Sequence, residues 1–315
     1  MSSASLPLRD RVAVVTGATS GIGRLLAERL AALGATTVVV GRGDARARAT
    51  AEEIQRATGR ASVESIGVQD LSVLAEMNGL ADELLRRYPQ IHLLVNNAGA
   101  FFSRRERTPD GLERTFALNV LAPFVLTSRL ASRLEASAPS RVVQIASAAH
   151  RAHRVPFDDL QAERAYRGFE QYGRSKLELI LETRELARRL QGSGVTVNAV
   201  HPGFIRSGFG QNNGGAVAFG IRFASYLFGR SLKHGVDTPL FVATDPSLGE
   251  VTGEYFSSER VVHGSPASRD PAAARRLYDL LSAIAGLSPL PEPATSARAP
   301  PSAGARSGAL AAPSV

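Results

Sequence analysis

Tyr172 and Lys176 stand four residues apart in the segment QYGRSKLEL, a spacing that puts a phenol and an ammonium on one face of a helix. A free phenol has a pKa near about 10, too high for ready proton exchange at neutral pH, but a cation within reach lowers it by about 1–3 units. The phenol could then trade a proton with an alcohol or carbonyl oxygen. Tyr and Lys at this spacing also occur on ordinary helices, so the chemistry depends on what else the chain brings to the pair. Tyr166 is a comparison within the same stretch: Glu170 follows it four residues on, and an acid there would raise a phenol, which suits packing or a rim position.

A second group of residues could hold an anion. The run RVAVVTG leads straight into Thr16-Gly17-Ala18-Thr19-Ser20-Gly21-Ile22-Gly23 and then into a helical pattern, the setting a dinucleotide-binding turn requires. The spacing is not GxGxxG. Glycines at 17, 21 and 23 can still supply a tight turn, backbone approach to a pyrophosphate and close packing at a helix N-terminus, whose N–H groups attract anions. Such a turn can also cap a helix for structural reasons alone. The next apolar strand ends VVVGRGD, where an NAD binder would place Asp or Glu against the ribose hydroxyls. Gly41 and Arg42 stand there instead, and Arg42 favours a 2′-phosphate, hence NADP over NAD. The competing reading makes Arg42 a surface arginine and lets Asp44 reach back to the ribose.

The elements that must position these residues alternate regularly. RVAVVTG, a helix from about Ile22 to Leu33, TTVVVG, a helix across Ala45 to Thr58 and ASVESIGVQD form a βαβαβ half. A helix across Leu74 to Tyr88, IHLLVNNAG, a helix from about Gly111 to Leu134, RVVQIAS, the Tyr172 helix and VTVNAVHPG continue it. Near-continuous apolar strands belong to a parallel sheet covered on both faces. The expected fold is therefore α/β, a single-domain Rossmann-type doubly wound parallel sheet whose ligand lies beyond the carboxyl ends of the strands.

With 315 residues, 44% of them hydrophobic, the chain can bury the core of one large domain. It contains no cysteine, which excludes disulfides, thiolate nucleophiles and Cys-ligated zinc and fits a reducing compartment; a cytoplasmic location is the expectation. MSSASLPLRDR begins neither a signal peptide nor a membrane anchor, and no later stretch reads as long enough to span a bilayer. The net charge of +8 is spread over helical segments with acids interleaved, which argues for solvated faces rather than nucleic-acid binding. His150 and His153, three apart with no third ligand nearby, read as solvated or packing residues rather than a metal site, and His201 as structural before a proline turn. Residues 1–10 read as an N-terminal extension, 11–287 as the domain, and the Pro, Ala, Ser and Gly run from Ser288 to Val315 as a disordered tail.

Taken together, TGATSGIG, Asn96-Asn97-Ala98-Gly99, Asn119, Ser147, Tyr172-x-x-x-Lys176 and His201-Pro202-Gly203 resemble the short-chain dehydrogenase/reductase family, from about Arg11 to about Gly286. PFDDLQAERAYRGFEQYGRSKLEL and GEYFSSERVVHGSP look more narrowly like its retinol-dehydrogenase and WW-domain-oxidoreductase-like branch, whose members act on lipophilic alcohols, aldehydes, ketones and steroids. The resemblance implies that Tyr172 is the general acid/base, and that Lys176 lowers its pKa and holds the nicotinamide ribose. It also implies that Ser147 binds the substrate oxygen, and that Asn119 holds a water linking Lys176 to solvent. It places Thr19, Ser20, Ile22 and Gly99 at the cofactor with the three glycines, Asp70 at the adenine, Asn97 beside the adenosine ribose, and Ile205 and Ser207 beside the nicotinamide carboxamide. Ser207 stands where threonine is commoner, and Glu178-Leu179 depart from the branch's small residue plus Asn. Homo-oligomerisation is a further expectation from the resemblance.

Gly208 to Gly235 is glycine-rich at first and then apolar. This suits a lid over a greasy substrate; a patch docking on a membrane surface or a second subunit, or a partly buried helix, would read the same way. The expected activity is hydride transfer between NADP(H) and an alcohol/carbonyl pair on a small apolar molecule. The alternative is a non-catalytic NADP(H) sensor or scaffold.

Overall fold

A computed structural model of the chain describes residues 6–203 and 232–293. Ile205, Ser207 and most of the expected lid lie outside the described residues. One eight-stranded sheet runs through the molecule in the order β3-β2-β1-β4-β5-β6-β7-β8. Its strands are β1 (Val12–Thr16), β2 (Thr36–Arg42), β3 (Val63–Val68), β4 (Leu93–Asn96), β5 (Ser140–Ile145), β6 (Val195–His201), β7 (Tyr255–Ser257) and β8 (Arg260–Val261). All neighbours are parallel except the last pair, where β8 turns back against β7. The chain builds outward from β1 to β3, then returns beside β1 to add β4 and the rest. The β1/β4 boundary is thus the switch point where crossovers leave to opposite faces and open a crevice.

Among the described residues, seven helices fill the connections: α1 (Gly21–Ala32), α2 (Asp44–Thr58), α3 (Leu74–Arg87), α4 (Arg114–Ala136), α5 (Gly168–Arg189), α6 (Leu232–Thr244) and α7 (Pro271–Ala285). The strands are apolar on both sides because both sides are covered. Val15, Val39, Val95 and Val143 bury against α1, α2 and α6, while Val14, Val38, Leu94 and Val142 bury against α3, α4, α5 and α7. The doubly wound reading of the sequence is the fold observed.

Several boundaries differ from the sequence reading. The helix expected from Gly111 starts at Arg114, because the fully buried Glu113 caps it: its carboxylate accepts from the backbone N–H groups of Thr115 at 2.7 Å and Phe116 at 2.8 Å. That helix also contains a π-helical turn at Ala117–Leu121. Contrary to the expectation that no stretch is long enough to span a bilayer, α4 has the length and composition to do so. Most of that stretch is buried in the core against the sheet and the neighbouring helices. β7, β8 and α7 were not among the expected elements; β7 and β8 are only three and two residues long, too short for a periodic signal. Of the tail expected from Ser288, residues 288–293 are docked. Leu290 donates its N–H to the Tyr278 hydroxyl at 2.8 Å, and Glu292 accepts from Arg188 at 2.6 Å. The rest lies outside the described residues.

Candidate active site and cofactor cleft

The turn after β1 is shaped by contacts that forbid side chains. Gly17 has φ +64°, and a Cβ there would lie 2.9 Å from the Ala98 backbone. A Cβ on Gly23, inside the first turn of α1, would meet the Gly17 carbonyl oxygen at 2.5 Å. Asn97 braces the same turn from just beyond β4, its Nδ2 donating to the carbonyls of Thr16 at 2.9 Å and Gly17 at 3.2 Å. The start of α1 has neither a side-chain cap on Ser20 nor an acid in its first turn. Its leading N–H groups and positive dipole end therefore face the crevice with no internal anion. A pyrophosphate fits this cradle.

At the end of β2, a Cβ on Gly41 would come 2.1 Å from Thr19 Cγ2. Thr19 fills the space of a larger residue, and Arg42 projects exposed beyond it. Asp44 opens α2 with its carboxylate over Gly67 of β3, where a Cβ would stand 2.2 Å from Oδ1. This leaves Arg42 as the charged residue reaching outward from the strand end. Asp70 is engaged within the protein: Oδ1 accepts from the N–H and hydroxyl of Ser72 at 3.0 and 2.6 Å, and Oδ2 from Arg114 at 2.8 Å. Those partners hold its carboxyl below the usual range against the opposing effect of burial, the largest single influence on it.

The four residues expected to do chemistry come from three elements and meet at the carboxyl ends of β4 and β5. Asn119 sits in the π-helical turn of α4, a place where an extra residue re-aims a side chain. Its Oδ1 accepts from the Ala100 N–H at 2.9 Å, and its Nδ2 donates to the Ala100 carbonyl at 2.9 Å and to Ser175 Oγ at 3.0 Å. Gly99 lies against this group: a Cβ there would be 3.1 Å from Asn119 Oδ1 and 3.4 Å from Lys176 Nζ. Ser147 follows β5 and caps the short 3-10 turn Ala148–Ala152, its Oγ accepting from the Ala149 N–H at 3.2 Å. Tyr172 and Lys176 lie on α5, where Tyr172 hydrogen-bonds Ser147 and Lys176 Nζ donates to the Ile145 carbonyl at 2.8 Å.

The electrostatics differ in one respect from the sequence expectation. Lys176 does not set the acidity of Tyr172 here: its Nζ is 5.8 Å from the phenol ring centroid and is tied to the β5 backbone. Burial pushes the Tyr172 phenol up to about 12, and the counteracting hydrogen bond comes from Ser147. Burial also pulls the Lys176 ammonium down to about 8, with Glu182 acting in the opposite sense. The comparison residue, Tyr166, is pushed up to about 12 as expected, but by burial first and then by Glu113. Glu170 is instead paired with Arg174.

The histidines carry more than the sequence indicated. His150 is fully buried, with Nδ1 2.7 Å from the Ser147 carbonyl. The available signal was its three-residue separation from Ser147, one turn of a 3-10 helix. His153 packs its ring over Gly173 of α5. His201 accepts from the Ala148 N–H at 3.3 Å, and burial pulls it down to about 4. Among the described residues no group of three His, Cys, Asp or Glu side chains is placed to hold a metal.

The sequence profile of the short chain dehydrogenases matches residues 11–215. Human retinol dehydrogenase 14 is 35% identical over 294 residues, covering 89% of this chain and 88% of its own. The bovine dehydrogenase/reductase SDR family member 13 is 38% identical over 287 residues, covering 90% and 75%. Among solved structures, an uncharacterized protein from Mycobacterium paratuberculosis matches with TM-score 0.73 and 27% identity over 92% of this chain and 99% of that one. A short chain dehydrogenase from Burkholderia cenocepacia in complex with NADP matches with TM-score 0.62 and 28% identity over 84% and 100%.

Proposed function

The chain belongs to the short-chain dehydrogenase family and is an NAD(P)-dependent oxidoreductase acting on alcohols; we propose that it works with NADP(H) on a lipophilic alcohol/carbonyl pair, with Tyr172 as general acid/base. The observation that carries this reading is the meeting of the Tyr172 phenol with Ser147 beside the buried Lys176, at the carboxyl end of β5. Gly17, Gly21 and Gly23 with Thr19, Ser20 and Ile22 would hold the pyrophosphate side of the cofactor, and Arg42 the 2′-phosphate. Asp70 and Asn97 would border the adenosine, and Gly99, Tyr172 and Lys176 the nicotinamide ribose. Ile205 and Ser207 would border the carboxamide. When bound, the nicotinamide supplies hydride to a carbonyl carbon or takes it from an alcohol.

The protein's own part is the oxygen. In reduction, Ser147 and Tyr172 hold the carbonyl oxygen, and the Tyr172 proton moves to it as negative charge develops. A phenol held near 12 keeps its proton until that moment, which suits an acid that must deliver it only to a basic alkoxide. Lys176 is tied to the β5 backbone at Ile145 and Asn119 fixes the backbone at Ala100 beside it; the proton lost by Tyr172 would be replaced from solvent through a water that Asn119 would hold next to Lys176. Oxidation runs the same transfers backward. The lipophilic substrate is supported by the names of the relatives and by an aromatic ledge beside the site. Phe169, 62% exposed, packs its ring at a tilt against Phe101 with centroids 4.9 Å apart, and the Phe101 ring lies edge-on to Tyr172 at 6.5 Å.

The test is absorbance at 340 nm with NADPH against retinal, medium-chain aldehydes and steroid ketones, with Tyr172→Phe alongside. Turnover should fall about 100-fold or more in the variant while NADPH binding by fluorescence is unchanged. A variant that kept more than about a tenth of the wild-type rate would sink the acid/base assignment.

A further inference from the structure

His150 is a fully buried imidazole outside the set of residues used above, and each of its ring nitrogens has a backbone partner. The Ser265 N–H, 115 residues along the chain, points at Nε2 from 3.2 Å. A backbone N–H can only donate, so Nε2 carries no proton and the ring hydrogen sits on Nδ1. Nδ1–H therefore donates to the Ser147 carbonyl at 2.7 Å. The same carbonyl accepts the backbone N–H of His150 at 3.3 Å, so one oxygen closes the 3-10 turn twice. On its open face the ring stacks edge-on against Tyr255 of β7 at 5.0 Å.

The far side of this contact is built to let the ring in. A Cβ on Gly264 would lie 3.2 Å from Nε2 and 2.3 Å from Ser268 Oγ. Ser268 in turn donates its hydroxyl to the Ser265 carbonyl at 2.7 Å and holds the loop closed. The groups around the ring are Ser147, Arg151 and His153 from its own turn, His201 from β6, Tyr255 from β7 and Ser265. No acid is among them, and burial is the dominant influence on the ring, holding it below the usual histidine range and so neutral.

We propose that His150 is a positioning residue for Ser147: it clamps the Ser147 carbonyl to the C-terminal loop at Ser265 and so fixes where the Ser147 hydroxyl meets Tyr172. This rests on the reading of Ser147 as the residue that holds the substrate oxygen. The proposal accounts for a feature the reaction alone does not need, a neutral imidazole of one tautomer wired between two backbone groups. It also gives Tyr255 of β7 and the loop after β8 a part in the site, through the two sides of the His150 ring that they meet.

The two ends of the clamp can be cut separately. Asn places its amide nitrogen where Nδ1 stands and keeps the Ser147 bond; Gln reaches the Nε2 position and keeps only the Ser265 bond. Each variant cuts one end of the clamp, so His150→Asn and His150→Gln should both lose about tenfold or more in kcat, since small misplacements of reacting groups are costly. NADPH affinity and KM should be little changed in both. Retention of kcat in either variant overturns the proposal, because one end alone would then be enough to place Ser147. Ser147→Ala is run alongside: if it stays active, the reading of Ser147 has failed and this proposal goes with it, whereas an inactive Ser147→Ala with an active His150→Gln overturns the clamp alone. A measurement without variants guards against misfolding: ring-15N NMR of the wild-type protein should show His150 as the neutral Nδ1–H tautomer between pH 6 and 8. An Nε2–H tautomer or an imidazolium would refute the clamp.

Discussion

At the scale of single residues, the cleft is defined as much by missing side chains as by those present. Gly23 cannot be enlarged without driving a methyl group to 2.5 Å from the Gly17 carbonyl, and backbone cannot yield as a flexible side chain can. Gly23→Ala should therefore abolish measurable NADPH binding by fluorescence titration and lower the melting temperature; unaltered affinity would show that the turn does not hold the pyrophosphate. Arg42 makes the complementary case of a side chain with freedom to act. A charged hydrogen bond is worth about 1.5–3 kcal/mol, or roughly ten- to a hundredfold in affinity. Arg42→Ala should weaken NADPH by that factor and leave NADH within about twofold, and equal losses would mean that Arg42 does not meet the 2′-phosphate. Tyr172 carries the lesson in electrostatics: helical spacing brought a cation near the phenol, but burial of the phenol decided the direction of its shift.

At the scale of elements, α5 carries both the chemistry and an internal liability. Glu178 and Glu182, two and six residues after Lys176, are fully buried. Neither oxygen of Glu178 has a hydrogen-bond partner, and Glu182 has a 3.4 Å contact from Gln144 of β5. Burial, reinforced by Glu113, pushes Glu178 up to about 8, and burial with Glu178 pushes Glu182 up as well. A carboxyl that keeps its proton to pH 8 when folded, but releases it near 4.5 when unfolded, leaves the unfolded state binding fewer protons between those values. Stability must then fall as pH rises through that window. Glu178→Leu, close in volume and apolar, should flatten the decline and stabilise the protein at pH 8 by a few kcal/mol, read from urea unfolding at pH 5 and pH 8. An unchanged slope would mean that Glu178 is not held protonated in the fold.

At the scale of the whole molecule, the C-terminal segment closes the structure over the face opposite α1. Tyr278 of α7 is fully buried, stacks edge-on against Phe124 of α4 at 5.2 Å and lies under the Arg189 guanidinium of α5 at 4.0 Å. Its hydroxyl also anchors Leu290. One side chain thus joins three helices and the segment after them. Tyr278→Ala should cost about 3–5 kcal/mol in urea unfolding while leaving kcat per folded molecule unchanged at low temperature. A loss below about 1 kcal/mol would mean that the helices close over the gap.

The sequence alone determined the parallel sheet, the glycine turn and the Tyr172–Lys176 pair, because these are local: strand hydrophobicity, turn chemistry and helical spacing act within a few residues of each other. The doubly wound arrangement followed from the same pattern, since right-handed crossovers leave few other routes. Only the tertiary structure decided what each group meets. Asn119 is aimed by a π-helical turn, Lys176 bonds the backbone of β5, and His150 reaches a loop 115 residues away. Burial is the common reason. Whether a phenol, an ammonium or a carboxyl is raised or lowered depends on the low-dielectric packing around it, which is assembled from distant segments and leaves no mark in local spacing.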